Sequence, residues 1–522
     1  MMAVTYPIVR LSIMNESIVF SSKDVIEAEV VQEIHPIGIE VPASTARIRV
    51  WLDDEIEDES GLTLRDKFRP FSDGVYHQSM TTGLLVDVSE WVADDEHFVG
   101  RFYLEEWNNT REGELELVCT DAIGVLENKN YLGNFYESPT LVSVILEDIF
   151  KSVDFVHSVD ADVANKYLKG YIKGDITLRD ALQQVLFACS AYALTAGSEV
   201  LQIKSGRLPI PNPVYPGYYY EEESATEPVS TYDGDARYTN VLLDAYISKE
   251  EKTDAQELSV LQLVTGVEIT THDYAKGDTL EDIFSAYLNP GDYMVVYPKP
   301  YWHVEASGAG DRITYLGTTT PANEYGQDEV LAAPDSDSDP TNDIIYTIYG
   351  EFEFGANYVY LHVPVVDPIP QVVVRGKPWL DAMQKVEWVN PAGIKSYDEG
   401  ANYDSANAIY DLSVYFRDWN VYAPPNVWKI DDATLVPYIK SSNEVYVEDV
   451  IAKVAEYASL RYKQKANLFP RTDIELGEID IIESLYNRSV VGVVKRTTSD
   501  LTGGYLIDAE FVGVERDQSE EE

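Results

Sequence analysis

Histidine is the residue type in this chain best suited to metal ligation or general-base catalysis, and its spacing matches no catalytic or zinc motif. The seven histidines are His35, His77, His97, His157, His272, His303 and His362. No HxH or HExxH sequence occurs among them. The sequence also lacks the GxSxG, Walker and GxGxxG motifs of hydrolases and nucleotide-binding proteins. These patterns predict no enzyme activity, no catalytic residues, no metal site and no cofactor.

A run of alternating aspartates resembles the start of a calcium-binding loop. Residues 335–343 read DSDSDPTND, with Asp335, Asp337 and Asp339 at alternate positions. Pro340 stands where such a loop needs glycine, and no bidentate glutamate follows at its twelfth position. The sequence favours a solvated loop, with calcium binding at Asp335–Asp343 as the weaker alternative.

Paired carboxylates beside an aromatic residue suggest glycoside cleavage. Glu105 and Glu106 precede Trp107 in this way. The chain has 90 acidic residues, so such pairs arise by chance, and nothing distinguishes this one.

Several aromatic residues of the N-terminal region suggest a platform for sugar binding. They are Trp51, Trp91, Tyr103 and Trp107. The chain is rich in tyrosine, with 37 Tyr against 15 Phe. Tyrosine favours strands and protein interfaces because it combines an apolar ring with a polar tip. Core or subunit-interface packing is therefore the favoured interpretation of these four residues.

The charge of the chain limits its partners. Its formal net charge is −51. This opposes binding to nucleic acid in a groove, which requires Lys and Arg at the phosphates, and adhesion to anionic membranes. It is compatible with a surface past which nucleic acid slides without sticking, since like charges repel.

Cysteine content and hydropathy indicate where the chain is made. Cys119 and Cys189 lie far apart in apolar contexts, which predicts two buried thiols and no disulfide framework. The first twenty residues lack a signal peptide, and the apolar runs are too short to span a bilayer. The sequence thus predicts synthesis in a reducing cytoplasm and no membrane anchor.

The elements that would position these residues divide into successive regions. Residues 1–128 are predicted to form a β-barrel or sandwich. Its predicted strands are residues 25–31, 37–41, 46–52, 99–105 and 114–119, with a turn at Asn108-Asn109. Residues 129–208 are predicted to form an α+β insert domain. Its elements are a helix at about 140–153 opened by Ser138-Pro139, a helix starting at Thr177, and a hairpin containing Tyr192, Leu194, Leu201 and Ile203.

The rest of the chain is predicted to be β-rich. Residues 209–240 are rich in Pro, Tyr and acid and predict an extended connection returning to the β region. Residues 241–345 predict a mixed β domain with one short helix near 279–287. Residues 346–522 predict a C-terminal β-rich region with a helix at 447–463. Four strands are predicted to follow that helix, at residues 469–474, 479–484, 490–497 and 505–514. No fixed-period repeat is visible.

Three segments together resemble the baseplate hub, or tail-tip hub, proteins of tailed bacteriophages. The first is FVGRFYLEEW at 98–107 followed by VCTDAIGVL at 118–126, similar to the family's G-x-F strand and its later aspartate-led turn. The second is the helix and hairpin at 177–205. The third is 476–513, containing DLTGG, which resembles the family's closing β unit. Each motif is short, and their order along most of the chain carries the resemblance.

The resemblance implies a fold and an assembly. The fold class would be α+β, mostly β, multidomain, with two tube-type β-barrel domains, the first at 1–128, and peripheral α+β domains, one at 129–208. Three copies would form a homotrimeric ring of pseudo-sixfold symmetry around a central channel. This ring would join the hexameric tail tube to tip or spike proteins and allow DNA passage.

The resemblance also implies partners and a location. Expected partners are a distal tail or tail tube protein, the tape measure protein, and tip, spike or receptor-binding proteins, with DNA present only in transit. The protein is expected in the virion, at the tail tip or baseplate, after synthesis in the host cytoplasm. Two alternatives stay open from the sequence: a virion-associated cell-wall hydrolase, either glycosidase or peptidase, and a host-surface binding protein.

Overall fold

The computed structural model of the chain describes residues 5–54, 61–92, 95–153, 155–209, 218–219, 245–262, 264, 266–309, 317–319, 355–363, 371–389, 426–439, 444–445, 448–458, 460–469, 474–502 and 506–516. The calcium loop considered at 335–343 and nearly all of the extended connection predicted at 209–240 lie outside the described residues.

The structure confirms the α+β, mostly β fold class. Strands β1 to β7 span Thr5–Ile13, Glu16–Phe20, Val25–Glu33, Thr45–Trp51, Leu85–Val92, Asp95–Arg111 and Glu114–Thr120. Strands β8 to β16 span Asn130–Tyr131, Asn134–Leu141, His157–Val159, Tyr167–Ile172, Ile176–Thr177, Ala191–Leu194, Leu201–Ser205, Tyr218–Tyr219 and Tyr246–Ile247. Strands β17 to β24 span Lys252–Val260, Gly266–Lys276, Glu281–Tyr287, Gly291–Val296, Tyr301–Ala309, Gly317–Thr319, Tyr358–Val363 and Gln371–Val389.

The remaining strands and the helices complete the described chain. Strands β25 to β31 span Val427–Ala433, Leu435–Ile439, Glu444–Val445, Tyr462–Leu468, Ile479–Glu483, Ser489–Asp500 and Leu506–Arg516. Helices α1 to α6 span Leu64–Lys67, Ala122–Glu127, Val142–Phe150, Ala161–Ala164, Leu178–Cys189 and Glu448–Ala458.

One sheet of 14 strands organises the molecule. Its main path runs in the order β17-β28-β31-β30-β3-β4-β7-β6-β5-β1-β2. Strand β3 near the amino end pairs with β30 near the carboxyl end, from Glu29 opposite Asp500 to Glu33 opposite Arg496. Strands from the regions predicted at 1–128 and 346–522 therefore share one sheet, and the domain boundaries themselves stay a prediction.

The long sheet contains the same four-strand arrangement twice. The first unit is β3-β4-β7-β6 and the second unit is β17-β28-β31-β30, and in both all neighbours are antiparallel. When the four strands of a unit are numbered along the chain, they lie side by side in the order first, second, fourth, third. The two units are joined head to tail, because the last strand of the second unit pairs with the first strand of the first unit. The loops within the units differ greatly in length, which is why no fixed period shows in the sequence.

Alternating side chains explain why these segments form strands. In β4, Ala46, Ile48 and Val50 are buried while the residues between them are exposed or half-buried. The buried set packs with Val9, Leu117 and other apolar residues of the first unit and its neighbours in one core. Period-two alternation of this kind is expected of a sheet with one face against a core.

The insert domain packs on this sheet through its own core. Helices α3 and α5 bury their apolar stripes, including Ile145 and Leu182, among β9 to β14. Helix α5 starts where predicted, since the Thr177 side chain accepts a hydrogen bond from Asp180 N and the Asp180 carboxylate accepts one from Thr177 N. The predicted hairpin is confirmed as β13 and β14.

The loop between β3 and β4, residues 34–44, locks the insert onto the sheet. The sequence predicts a strand at 37–41, and that prediction is wrong. The side chain of Gln183 on α5 donates to the carbonyls of Gly38 and Ile39, and Arg179 Nε donates to the Val41 carbonyl at 2.7 Å. The loop carbonyls are satisfied by helix side chains instead of by a neighbouring strand.

Other predicted boundaries are corrected by tertiary pairing. The helix predicted near 279–287 is strand β19, which pairs with β24. The turn predicted at Asn108-Asn109 lies inside β6, and the chain turns at Gly113, with φ +84°, instead. Ser138-Pro139 belongs to β9, and α3 begins at Val142. Strands β19 and β9 obtain their hydrogen bonds from strands far along the chain, which local sequence does not reveal, whereas Asn108 pairs with Glu116 of the adjacent strand β7.

The carboxyl-terminal helix and the strands after it also shift. Helix α6 ends at Ala458, short of the predicted end at 463, because Arg461 N donates to the Gly513 carbonyl and Tyr462 enters the ladder with β31. Most of the strand predicted at 469–474 lies outside the described residues, and β28 precedes it. The strands predicted at 479–484, 490–497 and 505–514 are confirmed as β29, β30 and β31.

The loop at residues 34–44 yields a prediction. Gly38 has φ +68°, and a Cβ there would lie 2.7 Å from the Ala191 carbonyl oxygen and from the Leu186 carbonyl carbon. We expect Gly38→Ala to lower the free energy of unfolding by about 2–5 kcal/mol, from left-handed backbone strain and overpacking together. Chemical denaturation measures this loss.

Gly83 provides the matched control for this prediction. It has φ +88°, and a Cβ added there would have nothing within 4 Å. Gly83→Ala should therefore cost only the backbone strain of about 1–2 kcal/mol. Equal losses for the two variants would show that the close approach of the loop to α5 does not matter.

Candidate functional site: the charged face of the long sheet

One face of the long sheet carries ion pairs from strand to strand, and we call it the charged face. Its members point the same way because they occupy alternate positions on paired strands. The described pairs on it are Arg10 with Glu96, Asp87 with Arg101, Arg47 with Glu116, Arg49 with Glu27, Arg496 with Glu33, and Lys463 and Lys465 with Glu510. The opposite face of the first unit packs into the apolar core.

Strand β4 shows how the sequence builds this face. Arg47 Nε donates to Glu116 Oε1 at 2.7 Å, and Arg49 Nη2 lies 2.6 Å from Glu27 Oε2. Both arginines come from an alternating R-I-R sequence whose isoleucine, Ile48, is buried. Hydrogen bonding to Glu116 raises the pKa of Arg47. Strand β4 presents these two arginines and lies between β3 and β7, which present Glu27 and Glu116.

Arg101 connects the charged face to the insert domain. Its Nε and Nη2 donate to the two oxygens of Asp87 at 2.8 and 3.0 Å, a bidentate pair. Its Nη1 lies 3.2 Å from Glu199 of the insert hairpin. These carboxylates raise the pKa of Arg101, with the Asp87 hydrogen bond as the largest cause. The basic residues of these pairs are therefore neutralised by neighbouring acids within the same chain.

The aspartate-led turn of the resemblance is a buried structural joint. Asp121 caps α2, where its Oδ1 accepts from Gly124 N at 3.0 Å. Its Oδ2 accepts from Thr195 Oγ1 of the insert hairpin at 2.8 Å. Burial raises the pKa of Asp121, while these hydrogen bonds act in the opposite direction. The residue ties the end of β7 to the insert and offers no free carboxylate for chemistry.

The predicted thiols are confirmed as buried and unpaired. Cys119 and Cys189 are both free, and their side chains lie in the cores of the sheet and the insert. Burial raises the pKa of both thiols to about 12. A thiol of this kind stays protonated and is a poor nucleophile.

The structure separates the aromatic residues of the suggested sugar platform. Trp91 stacks on Tyr6 with ring centroids 6.0 Å apart, and Trp107 packs against the core of the first unit. Tyr103 packs instead against the insert core, and Trp51 lies under Gly113. Packing is thus the role of these residues in the structure. The neighbouring Glu105 and Glu106 are exposed on β6.

An aromatic cluster that the sequence did not reveal joins the insert to the outer sheet of β18 and β24. Phe135 stacks on Trp379 at 4.0 Å with an interplanar angle of 10°. Lys276 Nζ lies 5.4 Å from the ring centroids of both Trp302 and Trp379 and 2.8 Å from Glu137 Oε1. These residues are far apart in sequence, so no local signal could have indicated the cluster.

The potential metal ligands of the described ranges are dispersed. Within those ranges, no group of three or more His, Cys, Asp and Glu side chains is arranged to hold a metal ion. Of the histidines, His272 Nδ1 lies 2.8 Å from Asp381, and His35 lies buried beside α6. The helices described in the structure are too short or too polar to cross a membrane.

His35 yields a prediction for pH dependence. Its ring lies 4.7 Å from that of Tyr457, and its Nδ1 has no hydrogen-bond partner among the described residues. Burial, with a smaller effect from Lys495, lowers the pKa of His35 from 6.5 to about 3. Because the folded pKa lies below the unfolded one, protonation favours unfolding, and stability falls as pH drops from 6.5 towards 3.

Replacing this ring by phenylalanine isolates the effect. Relative to wild type, His35→Phe should gain about 2 kcal/mol of unfolding free energy between pH 6.5 and pH 5, at about 1.4 kcal/mol per pH unit. Urea titrations at the two pH values measure it. A constant difference between the proteins at both pH values would contradict the assignment.

Glu90 yields a prediction of the opposite pH dependence, in which stability falls as the pH rises. It lies on the core face of β5, opposite Pro7 and His97. Burial raises the pKa of Glu90 from 4.5 to about 7. A raised folded pKa gives stability that is present below pH 4.5 and lost as pH rises through 7. Glu90→Gln should therefore be about 2–3 kcal/mol more stabilising at pH 8 than at pH 4.5. Thermal and urea unfolding at both pH values test this, and an equal effect at both would refute it.

The comparisons with known proteins find no sequence match and solved structures that align over most of the chain with TM-scores below 0.5. No protein-family model matches the chain, and no curated protein matches it. A 43 kDa tail protein of prophage MuSo2 from Shewanella oneidensis has a TM-score of 0.42 and 8% identity, over 97% of this chain and 98% of that one. A tail protein from Neisseria meningitidis has a TM-score of 0.42 and 7% identity, covering 97% and 96%. Prophage tail protein gp18 from Listeria monocytogenes has a TM-score of 0.42 and 7% identity, covering 97% and 94%.

Proposed function

We propose that the chain is a structural hub of a bacteriophage tail tip or baseplate. Three copies form a ring whose central channel joins a hexameric tail tube to tip or spike proteins and lets DNA pass. The observation that carries this proposal is the head-to-tail joint between the two four-strand units within one chain. A head-to-tail contact has two different surfaces, so repeating it generates a ring when the rotation closes.

The positions of the resembling segments support the proposal. The first segment falls on β6, β7 and α2, and the third falls on β29, β30 and β31. Strands β6 and β7 are the last two strands of the first unit, and β30 and β31 are the corresponding strands of the second. Two independent stretches of resemblance therefore occupy equivalent places in the two units. Six such units in three chains would match a sixfold tube.

On the second unit, the charged face carries Val491, Val493, Val512 and Val514, which pack with α6. The exposed part of the charged face suits a channel wall. Its paired Arg and Lys residues are held by carboxylates of the same chain, which lowers their capacity to bind phosphates. Polyanion binding depends on releasing counterions through uncompensated basic residues. A neutralised or acidic wall lets DNA move without sticking, and the net charge of −51 acts in the same sense.

The insert domain and the sheet of β18, β24 and β25 are the surfaces that we assign to partner proteins. The insert domain packs on the long sheet, and β18 shares a core with β30 through Val267, Ile269, Val491 and Val493. The surfaces of these two parts that face away from the long sheet are proposed for the outside of the ring. The proposed neighbours are a distal tail or tail tube protein, a tape measure protein, and tip, spike or receptor-binding proteins in the virion. The proposed role is structural and not enzymatic.

The purified full chain tests this function. Light scattering at micromolar concentration should give about three times the 58.7 kDa chain mass, and electron microscopy should show a ring with a central hole. A monomer at every concentration would overturn the ring. Clearing of cell-wall material in a zymogram would favour the hydrolase alternative, and saturable binding to host cells by the isolated chain would favour the receptor-binding one.

A further inference from the structure

Two strand edges of the long sheet have no partner among the described residues. They are equivalent to the edges of β3 and β30 that pair with each other within the chain. Strand β17, the first strand of the second unit, pairs with β28 alone. Strand β6, the last strand of the first unit, pairs beyond Leu104 with β7 alone. Open edges display unpaired N–H and C=O groups and readily accept another strand.

The end strands of the two units match residue by residue. The β6–β7 ladder shifts register between Leu104 and Glu106, and the β30–β31 ladder shifts between Val494 and Arg496. Next to each bulge the same two backbone hydrogen bonds occur. Leu104 donates to the Leu84 carbonyl and accepts from Gly83 N, and Val494 donates to the Glu478 carbonyl and accepts from Gly477 N. Leu104 is therefore the equivalent of Val494.

The equivalence extends across each unit to its first strand. In the first unit, the cross-strand row runs through Tyr103, Thr120, Thr45 and Val31. In the second unit, the corresponding row runs through Val493, Val512, Lys463 and Ser259. Val31 of β3 and Ser259 of β17 thus hold the same place in the two units.

The joint within the chain supplies the register. Val31 lies opposite Thr498, and the ladder is closed by hydrogen bonds from Ile34 N to the Lys495 carbonyl and from Leu501 N to the Ala28 carbonyl, both at 2.9 Å. The residue of β6 that is equivalent to Thr498 is Asn108, because both lie four positions after the matched residues of the bulges.

We propose that β17 of one copy pairs antiparallel with the second half of β6 of the next copy, with Ser259 opposite Asn108. This inference rests on the ring proposed above and names the surface that closes it. In this register Val260 lies opposite Trp107. Val260 is 62% exposed in the single chain, whereas Gln32, its equivalent in the joint within the chain, is 8% exposed. The pairing explains an exposed valine on an open edge.

Disulfide trapping between copies tests the register. Alternation of the hydrogen bonds places Ser259 and Asn108 at a non-hydrogen-bonded pair, where Cα atoms lie about 4.5 Å apart and a disulfide can form. Asn108→Cys and Ser259→Cys are purified separately in the full chain, mixed and oxidised. Once the two variants have exchanged subunits, about half of the chains should run as a disulfide-linked dimer on a non-reducing gel, because each mixed ring has one matching interface, and neither variant alone should give this product.

A register control and the opposing outcomes accompany this experiment. Mixing Ser259→Cys with Thr110→Cys, displaced by two residues, should give at least tenfold less product. The native thiols are buried and do not compete. Dimers of Asn108→Cys alone would indicate a symmetric contact and overturn the proposal.

A pair of matched valine variants tests the same surface by assembly. Val260→Asp should reduce the mass in light scattering to that of the single chain. Val19, which is 52% exposed, lies on β2 at the opposite end of the main path of the long sheet, and Val19→Asp should leave the mass unchanged. Both variants should keep the wild-type circular dichroism spectrum, since both positions are exposed in the single chain.

The outcomes separate this inference from the proposed function. A wild-type ring that gives no 108–259 cross-link, or that persists in Val260→Asp, overturns the strand pairing and leaves the ring in place. A monomeric wild-type chain without a cross-link overturns both. A cross-link together with loss of the ring in Val260→Asp alone supports both.

Discussion

Backbone hydrogen bonding at strand edges is the constraint on which this structure depends. Every strand of a sheet must find a partner on each side, or leave a row of donors and acceptors to water. The chain satisfies this need at its centre by pairing β3 with β30, strands that are more than 450 residues apart in sequence. That single ladder joins the amino and carboxyl ends and gives the long sheet its continuity. It also defines the geometry of a joint that a second copy can repeat.

The insert and the carboxyl-terminal helix stabilise this joint from one side. The loop at residues 34–44 follows β3 directly and contacts both α5, through Gly38, and α6, through His35 and Tyr457. Gln32 at the end of β3 donates to the Val99 carbonyl, which also accepts from Gly197 N of the insert hairpin. Buried polar groups are thus concentrated where the three parts of the chain meet. Misplacing this loop would disturb all of them together.

The use of charge follows from the same architecture. A face made of alternate residues on many strands brings side chains of neighbouring strands within reach of one another, so unlike charges pair across strands. Arg47 is therefore neutralised by Glu116 and Arg101 by Asp87, although each pair is separated by a long stretch of sequence or a turn. Exposed pairs of this kind add little stability. Their effect is on the potential of the surface, because each of these basic groups has an acidic group beside it.

Local pattern alone determined much of this molecule. Alternation in R-I-R-V-W predicted β4, helical spacing and the Thr177 cap predicted α5, and apolar context predicted two buried thiols. Turn residues predicted the order of β29, β30 and β31. These features depend on neighbours along the chain, where periodicity and capping are visible in the sequence.

Only the tertiary structure decided how the elements combine. It placed β3 beside β30, made residues 281–287 a strand of β24's sheet, and turned 37–41 into a loop held by helix side chains. It also showed two equivalent four-strand units, which the sequence hides because their inner loops differ in length. Pairing between distant strands is set by hydrogen bonds and packing across the fold, and those partners leave no local signal in the sequence.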